Sequence, residues 1–379
     1  MSARRSNGPG IATRVFGSQW FVSVLAVLIA FAIGAILIAL SGASVLDAYY
    51  AMFRGSIVDP NASTFVRQIK PLTDSLFYSI PLIISGLGLA LGFRAGLFNI
   101  GGKGQIIVGA LAAVWVGFAV NLPPVVHTLV ALLVAIVAGG LYAGIAGVLK
   151  AKTGANEVIV TIMLNSIATL GLGYTLAQKA WQVPGTNQPV TPKVAESAAL
   201  ARLLPAPFKL HVGFLVALVA LVAFWWLIER STLGFQIRAV GANAAAARTA
   251  GISVERITAI TMVLSGAFLG LAGANEALGT IGYVSRDVAG SIGFDAITVA
   301  LLGRNKTWGT FGAGLLFGAF KAGGYTMQAK GVPIDMILIL QSVIVLLIAA
   351  PALVRWLFRL PDVRALAANT RKENADEHK

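Results

Sequence analysis

Cysteine is absent from the 379 residues, which excludes disulfides, thiolate nucleophiles and Cys-ligated metals. Histidine is nearly so: His127, His211 and His378 lie far apart, so no pair has metal-ligand spacing. Charge is also scarce. Asp, Glu, Lys and Arg make up 12% of the chain, about half of the ~25% found in soluble domains. A phosphate-binding loop is missing. Gly101-Gly102-Lys103 is followed by Gly104 instead of Ser or Thr, and Leu97 stands where the first glycine of that loop belongs. No GxGxxG, HExxH or GxSxG occurs. Any ATP-driven work must therefore draw on hydrolysis by another chain.

What the sequence has in abundance is apolar surface, at 57% hydrophobic residues, more than one soluble core can bury. A helix needs about 20 apolar residues to cross the hydrocarbon. Ten such segments are read at 20–40, 72–92, 104–121, 125–149, 156–178, 211–229, 257–278, 287–303, 308–328 and 334–355. The eighth is short and reads as broken or re-entrant. The first is uncharged over its whole length, too long for a signal h-region of about 7–15 residues. Arg4, Arg5 and Arg14 precede it and place the N-terminus in the cytoplasm. The formal charge of +14 arises from Lys and Arg between the apolar runs, with no basic-aromatic cluster of the nucleic-acid type. They read as topology signals and anionic-lipid contacts, in excess on the cytoplasmic side.

The expected fold is all-α, a polytopic transmembrane bundle of about ten spans with both termini cytoplasmic. Residues 1–19 form a cytoplasmic N-terminal segment, 20–355 the membrane domain and 356–379 a cytoplasmic tail. The loops 41–71 and 180–210 lie outside. The second holds Pro184, Pro189, Pro192, Pro205 and Pro207 and is expected to be irregular. Small-xxx-small pairs such as Gly140/Gly144, Gly266/Gly270 and Gly314/Gly318 are read as close helix packing within one subunit.

The longest cytoplasmic loop between spans, 230–256, has internal order. Asn243 is a good N-cap, 244–250 favour helix, and Gly251 suits the left-handed position beyond a helix end. A helix of about seven residues, roughly 11 Å long, is marginal alone in water. Its small side chains fit insertion into a cleft on another protein.

The stretch Arg238-Ala-Val-Gly-Ala-Asn-Ala-Ala-Ala-Ala-Arg-Thr-Ala-Gly-Ile252 resembles the coupling segment of ABC-importer permeases for simple sugars, nucleosides and branched-chain amino acids. Three more stretches, 93–105, 156–165 and 293–304, resemble the nucleoside-type branch. Lys103 departs from that branch, which carries an acidic residue there. The resemblance implies a permease subunit working by alternating access, without cofactor or chemistry of its own. It also implies a second, similar permease, a cytoplasmic ATPase holding ATP and magnesium, and an external substrate-binding lipoprotein in a bacterial inner membrane. On this reading Arg238, Gly241, Asn243, Ala246, Ala247 and Gly251 couple to the ATPase.

For the substrate pathway, Phe98 offers a stacking face and Asn99 a paired donor and acceptor, with Gln105 beyond the glycines. Glu157 and Asn165, eight residues apart, share a helix face. Asn275, Glu276 and Asp295 read as pairing or loop-anchoring groups. A simple-sugar permease and a self-sufficient secondary carrier are the alternatives.

Overall fold

The computed structural model describes residues 19–329 and, beyond them, only scattered positions up to 358. The expected tenth span, the cytoplasmic tail and nearly all of the N-terminal segment lie outside the described residues. The chain divides into two compact units, 1–50 with 327–379, and 51–326. In the first, α1 (Gln19–Leu40) is an apolar helix, and the Tyr49 hydroxyl donates to the Phe31 carbonyl at 2.5 Å.

The second unit is built from α-helices. They are α3 (Phe65–Arg94), α4 (Gly102–Ala119), α5 (Val126–Thr153), α6 (Glu157–Ala177), α7 (Gly213–Arg230), α8 (Thr232–Ala242), α9 (Ala244–Thr249), α10 (Val254–Asn275), α11 (Ile292–Leu302) and α12 (Thr307–Gln328). A π-helical segment, Glu276–Ile281, continues α10. Among the described residues there is no strand, only an isolated bridge between Arg202 and His211. Among the described residues six helices are long and apolar enough to cross a membrane: α3, α4, α5, α6, α7 and α10 with its π segment. The protein is a multi-pass helical membrane protein. Segment α11 has 11 residues, about 16 Å, and falls short of the ~30 Å hydrocarbon.

The sequence misses one element in the first of the two long loops it expects. Residues 41–71 contain α2 (Val45–Ser56) and the first turns of α3. Leu46 and Phe53 on α2 are exposed, as on a helix lying at an interface.

The core centres on α10, which packs against α3, α4 and α5. Glycines make this possible. A Cβ on Gly270 would collide with the Ala135 carbonyl, and one on Gly109 with the Gly270 backbone. Three backbones thus meet where side chains would hold them apart, as lipid-embedded helices favour. The small-residue pairs of α10 and α12 pack within the subunit. On α5, Gly139 makes the closest approach to α10.

The proline-rich loop 180–210 is irregular, as its prolines require, but it is tied down. Thr191, Val194 and Leu200 donate their backbone N–H groups to the carbonyls of Val284, Gly282 and Leu278. It thereby covers the π segment and the chain just beyond it.

Candidate functional site

Helix α3 ends because Gly96 turns left-handed at φ +72°. The N–H of Leu97 then returns to the Gly92 carbonyl at 2.9 Å, closing the helix in a Schellman-type arrangement. Residues 97–101 run without helix to α4. Backbone groups left bare at membrane depth must be satisfied by protein, and one face of α6 does this. Glu157 accepts from the Phe98 N–H at 3.4 Å, and Thr161 Oγ1 from that of Ile100 at 3.2 Å. Asn165 donates to the Ile100 carbonyl and accepts from the Gly104 N–H, both at 2.8 Å. The face shared by Glu157 and Asn165 therefore braces the broken helix.

Asn99 and Gln105 pair their amides in both directions, at 2.9 and 3.0 Å. Asn99 also donates to Ser265 Oγ at 2.9 Å and accepts from the Gly101 N–H at 3.0 Å. Both side chains are buried. Glu157 is held from its other oxygen by Lys150 at 2.6 Å. Thus the structure brings Asn99, Gln105, Glu157 and Asn165 together with their hydrogen bonds turned inward. Phe98, at 39% exposed, keeps part of its ring open and leans on Phe93, centroids 4.8 Å apart.

The stretch 232–249 is helical in two pieces. Ser231 caps α8 by accepting from the Gly234 N–H at 2.9 Å, and Asn243 caps α9 by accepting from the Ala246 N–H at 3.0 Å. Gly251 sits at φ +82° beyond α9, and Ile252 N–H closes on the Ala247 carbonyl at 3.0 Å. The helix has six residues, one fewer than the sequence suggests. Asn243 and Ala246 are exposed and Ala247 is buried. An open groove runs beside them, lined in part by Phe235, Ala239 and Ala250. Arg238 keeps Nη1 buried without a hydrogen-bond partner among the described residues.

Gly241 joins the two regions. A Cβ there would strike the Arg94 carbonyl oxygen, so α8 touches the end of α3 backbone to backbone. Arg94 donates to the Asn305 carbonyl at 2.8 Å and faces Glu229 at 3.6 Å. On the other side of the break, a Cβ on Gly293 would strike the Lys103 backbone nitrogen, which places the start of α11 against the start of α4.

A second polar set includes Glu276 and Asp295, which the sequence reads only as pairing or loop-anchoring groups, and adds residues that reading did not join to them. Tyr78 on α3 and Tyr325 on α12 have ring centroids 5.3 Å apart at 37°. Tyr78 lies within electrostatic reach of Asp74 and Glu276, and Lys321 within reach of both Glu276 and Asp295. Thr280 hydrogen-bonds Glu276, and Ser291 donates to Asp295 at 2.6 Å. Asp74 is paired with Lys70 through one oxygen, while its Oδ1 is buried without a hydrogen-bond partner among the described residues. The signal in the sequence was Lys321 inside an apolar segment, since an intramembrane charge needs a partner. Among the described residues no three His, Asp or Glu side chains converge as metal ligands would.

Comparison with known proteins adds the following. Residues 72–349 match the family described as branched-chain amino acid transport system / permease component. The chain is 40% identical over 349 residues to the guanosine ABC transporter permease protein NupP of Bacillus subtilis, covering 89% of this chain and 95% of that one. It is 36% identical to the glucose ABC transporter permease protein TsgB13 of Haloferax volcanii, over 85% of each. It is 31% identical to the nucleoside ABC transporter permease protein NupB of Lactococcus lactis, over 92% of this chain and 95% of that one. No solved structure matches.

Proposed function

The chain belongs to the branched-chain amino acid transport system permease family, and we propose that its cargo is nucleosides. It is the permease component of an ABC transporter, and ATP hydrolysis belongs to a separate subunit. The observation that carries the nucleoside reading is the 40% identity with a guanosine permease over nearly the whole of both chains.

In this reading ten spans cross a bacterial inner membrane with both termini in the cytoplasm. The end of the bundle that holds Arg94, Lys150, Glu229 and Asn305 faces inward. A second permease, different but similar, completes the pathway. An external substrate-binding lipoprotein delivers the cargo, and a cytoplasmic ATPase holding ATP and magnesium receives α9. The exposed, doubly capped α9 and its groove support that docking. When the ATPase closes, α9 and α8 move together, and the Gly241–Arg94 contact passes the motion to the broken helix. There Asn99, Gln105, Glu157 and Asn165 keep the break rigid, and Phe98 presents its ring to the pathway. Alternating access follows when the braced break and the helices fixed to it move as one rigid piece against the second permease.

A sugar permease is the second reading, and the 36% identity with a glucose permease favours it. Uptake of labelled guanosine, adenosine, uridine and glucose by cells with and without the gene separates the two. Loss of nucleoside uptake alone is expected. Loss of glucose uptake with nucleoside uptake intact would establish the sugar reading instead.

A further inference from the structure

Tyr78, Glu276, Asp295, Lys321 and Tyr325 come from four elements far apart in sequence, yet they form one polar row inside the membrane. Depth along the helices shows its extent. Asp295 lies eight residues above Gly303, about 12 Å from the end that holds Arg304. Lys321 and Tyr325 lie 14 and 18 residues above Thr307, about 21 and 27 Å from that same end. Tyr78 lies 16 residues above Arg94, about 24 Å. The row therefore runs from mid-membrane toward the opposite face. Intramembrane charges are costly and normally mark a pathway or a cavity. A π-helical segment, of the kind that clusters at functional sites, carries Glu276 and Thr280 to it.

We propose that this row binds the base of a neutral nucleoside, with preference for a 6-oxopurine. This rests on the nucleoside reading above and names the site behind it. The Tyr78–Tyr325 pair supplies aromatic surface from two tilted rings, and Tyr325, 44% exposed, keeps part of its ring open for stacking a planar base. Carboxylates only accept and an ammonium only donates. A 6-oxopurine presents a ring N–H donor, joined in guanine by an amino N–H, beside a carbonyl acceptor, the complement of a carboxyl group within reach of a lysine. Adenine lacks that carbonyl, and uracil offers less surface to stack. Two carboxyl groups face the one lysine, and Asp74 is already paired with Lys70, so the row has no surplus of positive charge with which to hold a phosphate. Asp74 Oδ1, buried and unbonded among the described residues, adds an acceptor beside Tyr78.

The natural lack of cysteine makes the test direct. Tyr325→Cys and Asp295→Cys are introduced singly into the full transporter and labelled with a membrane-impermeant maleimide. Millimolar guanosine is expected to slow labelling at both positions several-fold, whereas guanosine monophosphate leaves it unchanged. In uptake assays, Glu276→Gln is expected to lower guanosine transport at least tenfold and adenosine transport less, while Tyr325→Ala, which removes the stacking ring, lowers guanosine transport several-fold more than Tyr325→Phe, which keeps it. Labelling that guanosine leaves unaltered, in a transporter that takes up nucleosides, overturns this site and spares the nucleoside reading. A wild-type transporter that takes up glucose and no nucleoside removes that reading itself.

Discussion

His211 shows how much a single buried side chain can set. It stands just ahead of α7, outside the span itself. It is 1% exposed, and its ring stacks edge-on against Phe77 at 5.5 Å between centroids. Gly213 and Gly279 flank it so closely that a Cβ on either would strike the imidazole. Nδ1 accepts from the Gly213 N–H at 3.1 Å, which fixes the neutral tautomer with its proton on Nε2. Burial pushes the imidazole down to about 4, against about 6.5 in an unfolded chain. Between those values the unfolded chain binds the proton and the folded one does not, so stability falls as pH drops. The contribution is complete above about 6.5 and is lost on descending to about 4, at most ~3 kcal/mol. The apparent melting temperature of purified wild-type protein should therefore decline across that window more steeply than that of His211→Asn. Parallel curves for the two proteins would show that His211 does not titrate there.

At the scale of elements, the glycine contacts carry the packing and make a sharp prediction. Gly270 meets backbone atoms of both α5 and α4, and backbone cannot rotate aside as a side chain can. Gly270→Ala should cost about 1–3 kcal/mol as an overpacking substitution, read as a lower melting temperature. A Cβ at Gly312 on α12 would meet open space, so Gly312→Ala should be neutral or slightly stabilising through helix propensity. Equal effects of the two would mean that the α4–α5–α10 contact is not tight. The six helices long and apolar enough to cross were legible in the sequence because an apolar run of that length has few other uses. The small helix α9 was legible because Asn243 and Gly251 punctuate it at both ends. The adjoining α8 was not. Gly234 and Gly241 lower its helix propensity, and packing against α7, α10 and the end of α3 overrides that preference.

Across the whole molecule the limits of legibility are of a different kind. Asn99 and Gln105 were visible as polar groups beside a break, but nothing in the chain shows that the two amides satisfy each other. Tyr78 and Tyr325 pair their rings from nearly opposite ends of the bundle's sequence, a separation that no local pattern bridges. The same long-range contacts define a continuous mechanical route. From α9 it passes through the backbone contact of Gly241 with Arg94, across the braced break, to the contact of Gly293 with Lys103, and so to the helix that carries Asp295. Spatial continuity alone does not prove coupling, so the route needs a perturbation at its far end. Ala246 is exposed on α9 and touches none of the bundle's buried glycine contacts, which makes Ala246→Trp a change to the docking face and not to the fold. That variant should keep the wild-type melting temperature but lose at least tenfold in ATP-driven uptake, with weaker co-purification of the ATPase. Val219→Trp, at an exposed apolar position of α7, adds the same bulk where lipid can yield and should keep uptake near wild type. Full uptake by Ala246→Trp would mean that α9 does not enter the ATPase, and the route would then have to begin elsewhere at the end of the bundle that holds Arg94.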